Sequence, residues 1–172
     1  KKYELAITQF EKSIEMNEND IVSIAECAEC YEELKDFTNA HIYRQKAIEI
    51  EPNDPRYKCN YGMFLQNQGK HKEALIQFDG ALRIEPDDAD YMTECAYSYG
   101  KLKDVEKAHI YYQQAIDADP KCANYRYNYG LFFQDYGQHK DALVQFMEAA
   151  KLGEEEVDYI FECGFSYGEL KD

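Results

Sequence analysis

The chain has 172 residues, of which 34 are Asp or Glu and 19 are Lys or Arg, so its formal net charge is −15. This acidic excess argues against nucleic acid and anionic membrane surfaces as partners, because both require a basic binding face. The sequence contains no apolar run of about 18 residues, as a membrane-spanning helix needs, and no opening segment typical of a signal peptide.

A 34-residue period organises the chain, because Pro52, Pro86 and Pro120 each close a similar helical stretch, written AIEIEP, ALRIEP and AIDADP. A repeat of this length is typical of one helix–turn–helix unit stacked on copies of itself. In chain order the pattern predicts helices over 3–16, 22–34, 37–51, 55–68, 71–85, 90–102, 105–118, 123–136, 139–152 and 157–170.

Polar residues mark the predicted helix starts. A carboxylate just before a helix accepts free backbone N–H groups of the first turn. Three first helices are preceded by such a residue: Asp20, Asp54 and Asp88.

Glycine marks two of the turns between paired helices. Gly69 and Gly137 stand where a left-handed residue ends the first helix. Lys35 and Lys103 occupy the same place in other units, so we expect those turns to be built differently. The aspartates that follow these lysines are expected to cap the next helix: Asp36 and Asp104.

Small and large residues recur at fixed positions when the proline is counted as position 32. Small residues at positions 8, 20 and 27 let paired helices approach closely, and a large residue at position 24 fills the space between them. Position 8 holds Ala28, Gly62, Ala96, Gly130 and Gly164, and position 24 holds Phe10, Arg44, Phe78, Tyr112 and Phe146. The chain therefore resembles the tetratricopeptide repeat family over essentially its whole length, with Arg44 as a departure from the usual aromatic.

This resemblance implies an all-α fold, a right-handed superhelical α-solenoid of antiparallel helix pairs. The chain then divides into a partial repeat over 1–20, full repeats over 21–54, 55–88, 89–122 and 123–156, and a partial repeat over 157–172. Because both ends are half-units, we expect the parent protein to continue past Asp172 or copies to associate through their uncapped ends.

A second period of 68 residues relates 21–88 to 89–156, with about four in ten positions identical. Cys27, Cys95 and Cys163 share one place in this pattern, so we interpret them as buried thiols in a reducing, cytoplasmic setting. The histidines also recur in pairs, which favours a structural role at the surface or turns over catalysis: His41, His71, His109 and His139. No catalytic, cofactor-binding or metal-binding motif stands out.

In the family that the chain resembles, the first helix of each repeat lines a concave groove. Asparagine there can hold a peptide backbone, whereas glutamate prefers Lys or Arg. The resemblance places these residues in the groove: Glu26, Glu29, Arg56, Asn60, Met63, Asp90, Glu94, Tyr97, Tyr127, Asn128, Leu131, Asp158 and Glu162.

The acidic groove predicts a protein-interaction scaffold or adaptor that binds a basic, amphipathic peptide or helix. It lacks the Lys and Arg set with which co-chaperone relatives grip a C-terminal carboxylate, so that sub-function is not expected. Three other interpretations stay open: the acids are only a solvated face, the chain is the substrate-targeting arm of a larger enzyme, or it self-assembles into dimers or filaments.

Overall fold

The computed structural model of the protein describes residues 1–153 and 157–169, and for 157–160 it describes the backbone alone. Within these ranges all regular secondary structure is helical, as predicted. The helices are α1 (Lys2–Met16), α2 (Ile21–Glu33), α3 (Phe37–Ile50), α4 (Pro55–Asn67), α5 (His71–Leu82), α6 (Ala89–Lys101), α7 (Val105–Ala118), α8 (Ala123–Asp135), α9 (His139–Leu152) and α10 (Val157–Glu169).

The helices fall into two compact units, Lys1–Pro86 with α1–α5 and Asp87–Asp172 with α6–α10. In the first unit α2 packs on α3 and α4 on α5, with α1 against α2. In the second unit α6 packs on α7 and α8 on α9, with α10 against α9. The predicted end at 170 lies outside the described residues.

One predicted helix end is wrong, because α5 stops at Leu82 and not at residue 85. The backbone forms a tighter turn there, in which the Ile84 N–H donates a hydrogen bond to the Ala81 carbonyl three positions earlier. Such shorter-range bonds commonly satisfy the carbonyls at a helix end.

Aspartates cap the helices at the predicted places. Each side chain accepts a backbone N–H from the first turn and so satisfies a donor that the helix leaves unpaired. The cap and donor pairs are Asp20 with Ser23, Asp36 with Asn39, Asp54 with Arg56, Asp88 with Tyr91 and Asp104 with Lys107.

The turns inside the helix pairs are alike, which corrects one expectation. Gly69 and Gly137 have φ values of 73° and 68°, as predicted for left-handed helix stops. Lys35 and Lys103 adopt the same conformation, with φ of 62° and 66°, so the expectation of a different turn is wrong. A hydrogen bond to the carbonyl five positions earlier closes all four turns: Asp36 to Tyr31, Lys70 to Leu65, Asp104 to Tyr99 and Gln138 to Phe133. This shared closure holds the lysines in a region that costs a side chain roughly 1–2 kcal/mol.

In two helix pairs, α4–α5 and α8–α9, position 8 on the first helix faces position 24 on the second. A Cβ added to Gly62 would lie 2.8 Å from Phe78 Cδ1, and one added to Gly130 would lie 2.6 Å from Phe146 Cδ1. A packed core has no room for such an overlap, so only glycine admits these phenyl rings. In the repeats that have alanine at position 8, position 24 is not phenylalanine: Arg44 stands there in the repeat of Ala28, and Tyr112 in the repeat of Ala96.

The substitution Gly62→Ala is expected to lower the free energy of unfolding by about 1–3 kcal/mol, because the new methyl group overlaps the Phe78 ring. Gly80→Ala is the matched control, since a Cβ there meets only the flexible Lys58 side chain, at 3.2 Å. The control is expected to be neutral or to stabilise the helix by up to about 1 kcal/mol. Urea denaturation followed by circular dichroism measures both, and equal losses would contradict this packing account.

A histidine and a tyrosine join successive helix pairs within each unit. His41 on α3 hydrogen-bonds with the Tyr61 hydroxyl on α4, and His109 Nδ1 on α7 lies 2.7 Å from the Tyr129 hydroxyl on α8. The His109 ring also packs on Phe132, with ring centroids 5.1 Å apart. These two histidines are thus structural, as predicted, but they lie half-buried at helix joints and not at the surface.

Stability is expected to fall as the pH drops below about 6.5, in part through His109. Burial lowers the pKa of His109, and Asp141 opposes this with a smaller effect. The folded protein therefore favours the neutral ring, while the unfolded chain takes up the proton near its ordinary pKa. Urea unfolding at about pH 7.5 and about pH 5.5 is expected to show a smaller loss for His109→Gln than for the natural chain. Identical losses would rule out this contribution.

Candidate functional site

The predicted groove residues of the first unit surround a cleft, here called the α2–α4 cleft, with a volume of about 500 Å³. Four of the five predicted residues in this unit line it: Glu26, Glu29, Asn60 and Met63. Arg56 is not among its lining residues, and Asp54 holds its guanidinium at 2.6 Å at the start of α4. The remaining lining residues are Tyr3, Cys30, Glu32, Glu33, Arg44, Phe64 and Asn67.

Three carboxylates of the α2–α4 cleft have no hydrogen bond or ion pair with any described residue: Glu26, Glu29 and Glu33. All three side chains are exposed. Burial raises the pKa of the Cys30 thiol, and these three charges raise it further. The cleft therefore carries three carboxylates that no cation in the described part of the chain pairs with, whereas its fourth, Glu32, is paired with Arg44.

The cleft wall contains an arginine at position 24, where the other repeats have an aromatic ring. Arg44 Nη2 donates to Glu32 Oε2 at 2.6 Å, and its guanidinium carbon lies 5.3 Å from the Phe64 ring centroid. The Arg44 side chain is only 11% exposed, and no described residue bonds its buried Nε. Sequence reasoning recorded Arg44 as a departure and missed its place in the cleft, as it missed Phe64 and Asn67.

Two of the acids predicted for the groove in the second unit are held by neighbouring side chains. Asp90 accepts a hydrogen bond from the Tyr125 hydroxyl at 2.8 Å, and Glu162 accepts one from the Gln134 amide at 2.8 Å. The Tyr97 ring is 43% exposed, and the Lys101 ammonium lies 5.1 Å from its centroid. This surface therefore presents less unpaired negative charge than the α2–α4 cleft.

The other predicted residues of the second unit are less accessible. Tyr127 and Leu131 are half-buried and pack against the core that Tyr112 and Phe146 help to form. Glu94 and Asn128 are also half-buried. Asp158 lies within α10, and its side chain is outside the described part of the structure.

Among the described residues, no helix combines the length and apolar character that crossing a bilayer requires. In the same ranges, no group of three or more His, Cys, Asp or Glu side chains is placed to bind a metal ion. All six cysteines are free thiols, and Cys27 and Cys95 are fully buried, as predicted. Cys163 was also predicted to be buried, but it is only half-buried.

The Arg44–Glu32 pair is expected to contribute to stability, because it is shielded from water. Arg44→Ala leaves Glu32, itself 22% exposed, without its counter-charge and is expected to cost about 1–3 kcal/mol. Arg56→Ala is the matched control: it also removes an arginine–carboxylate contact of 2.6 Å, but its side chain is 75% exposed. We expect that control to cost about 0–1 kcal/mol. Urea unfolding that shows the same loss for both variants would contradict this difference.

Comparison with known proteins supports this architecture. The family model for YpiA-like C-terminal tetratricopeptide repeats matches residues 25–88, and a tetratricopeptide repeat model matches residues 95–156. The photosystem I assembly protein Ycf3 of Synechococcus sp. (strain CC9902) is 32% identical over 99 residues, which cover 53% of this chain and 57% of that protein. The chain thus spans little more than half the length of this relative.

Two solved structures share the fold. PilW, described as a widely conserved type IV pilus biogenesis factor, superposes with a TM-score of 0.83 at 21% identity, covering 98% of this chain and 79% of PilW. YrrB, described as a TPR protein with an unusual peptide-binding site, gives a TM-score of 0.66 at 22% identity, covering 94% of this chain and 84% of YrrB. The chain belongs to the tetratricopeptide repeat family, as its own repeat pattern, its helix pairs and these matches together show.

Proposed function

We propose that this chain is a protein-interaction scaffold that binds a basic, amphipathic segment of a partner protein. The observation that carries the proposal is the α2–α4 cleft, where unpaired glutamates stand beside the half-exposed Met63 side chain. Charged groups around an apolar contact are typical of protein-binding surfaces. The relative Ycf3 is named for an assembly role, and a comparable assembly role for this chain is part of the proposal.

The cleft offers a different contact to each part of such a segment. The exposed Asn60 amide can donate to and accept from a peptide backbone. Glu26 and Glu29 can accept from lysine or arginine, and charge-assisted bonds of this kind are the stronger ones. Met63 can contact an apolar side chain, since its flexible thioether adapts to different shapes.

The proposal treats the chain as a binding module without catalytic activity of its own. This agrees with a family whose structures are repeat scaffolds and with the duplicated, structural placement of His41 and His109. We also propose a cytoplasmic location, because all six cysteines are free thiols and a reducing compartment keeps them so.

Self-association is a second candidate function, favoured by the aromatic side chains of α10. Phe161 is 68% exposed, Tyr167 52% and Phe165 49%. Exposed apolar patches of this kind often mark interaction surfaces. Sedimentation equilibrium of the natural chain and of Phe161→Ser tests this candidate, and a monomer at all concentrations would exclude it.

The leading proposal is tested by binding labelled basic, acidic and apolar peptides to the purified chain at about 50 mM and about 500 mM NaCl. Only the basic amphipathic peptides are expected to bind, and their affinity is expected to fall at least several-fold at the higher salt. Capture of no peptide, or of apolar peptides regardless of salt, would contradict the proposed function.

A further inference from the structure

We infer that the α2–α4 cleft is the place where a cationic side chain of the partner binds, and that the equivalent surface of the second unit is not. The inference rests on the proposed function and adds that the principal contact is with an arginine and that the second unit does not provide an equivalent contact. The occupant is an arginine flanked by an apolar side chain, on a basic amphipathic segment.

The internal duplication provides the first argument, because it compares the same surface in two copies. Residue 33 in the first unit corresponds to residue 101 in the second, and residue 67 to residue 135. In the second unit these residues are Lys101 and Asp135, which form an ion pair of 2.7 Å. In the first unit they are Glu33 and Asn67, so the cation is replaced by an acid.

A second difference concerns the space at position 24. In the second unit Tyr112 is 2% exposed and its ring centroid lies 5.1 Å from that of Tyr129. The Tyr136 hydroxyl also bonds to the Gly100 carbonyl at 2.8 Å and so packs another ring nearby. The first unit has Arg44 and Glu32 in place of Tyr112 and Gly100, and these two polar residues line the open cleft.

The cleft itself shows how it holds a guanidinium group. Arg44 lies over the Phe64 ring and bonds to Glu32 at 2.6 Å. This combination of a flat apolar contact and a carboxylate suits arginine better than lysine. Glu29 and Glu33 stand unpaired in the same cleft with Met63, which is 43% exposed. A partner's arginine can therefore pair with these carboxylates while its apolar neighbour contacts Met63.

The test uses a fluorescent amphipathic peptide of leucine and arginine, and the same peptide with citrulline, which keeps the shape of arginine and removes its charge. The variant Glu33→Lys with Asn67→Asp transfers the ion pair of the second unit into the cleft. It is expected to weaken arginine-peptide binding about tenfold or more. Asp90→Asn in the second unit has the same net charge change and is expected to alter affinity less than about twofold.

Two further measurements keep the outcomes distinct. Glu29→Gln with Glu33→Gln removes charge with little change of shape, so loss of binding there does not depend on folding of the first variant. If both cleft variants bind like the natural chain, or if Asp90→Asn weakens binding as much as they do, the location is wrong while the proposed function stands. If the natural chain does not distinguish the arginine peptide from the citrulline peptide, the proposed function fails with it.

Discussion

The contact between position 8 and position 24 is the constraint on which the helix pairs α4–α5 and α8–α9 depend. Gly62 admits the Phe78 ring and Gly130 admits the Phe146 ring, at distances that leave no room for a side chain. Because a small residue faces a large one, the paired helices lie close together. This close packing determines which helix faces are exposed to solvent. Changes at position 24 therefore act on the core and on the neighbouring surface together.

Arg44 shows how this constraint leads to the proposed binding surface. An arginine at position 24 cannot complete an apolar core unless its charge is neutralised, and Glu32 on α2 provides the carboxylate at 2.6 Å. The pair lines a cleft whose other acids are unpaired, among them Glu29 and Glu33. In the duplicated copy Tyr112 keeps the aromatic core. Tyr97 and Lys101 stand there in place of Glu29 and Glu33, so the acidic cleft is not repeated.

The sequence predicted the helices, the aspartate caps and four residues of the cleft, because these follow from periodicity and local chemistry. It did not predict that Lys35 shares the turn of Gly69, since the hydrogen bond that closes the turn is made by backbone atoms that every residue except proline supplies. Nor did it predict which acids are paired. Whether Asp90 accepts a hydrogen bond from Tyr125 depends on the packing of α6 against α8. The repeat numbering alone does not predict such side-chain contacts.

The half-burial of Tyr127 and Leu131 has the same origin. The position of a residue in the repeat indicates whether it lies on the side of the helix that usually faces the groove. The size of the neighbouring side chains determines how much of it is exposed to solvent. Tyr127 packs 5.7 Å from the Phe146 ring, centroid to centroid, so most of its surface serves the core. Among the residues predicted for the groove, Glu26 and Asn60 are exposed, and so are Met63 and Tyr97.

The central claim is that a partner's cationic side chain enters the α2–α4 cleft, and the chain's four methionines allow a direct measurement. In a chain labelled at methionine methyl groups, NMR titration with the arginine peptide is expected to shift the Met63 resonance in a saturable, salt-sensitive way. Met16, Met92 and Met147 are not among the residues that line the cleft and are expected to stay in place. A titration in which Met63 does not move while Met92 or Met147 does would contradict the account.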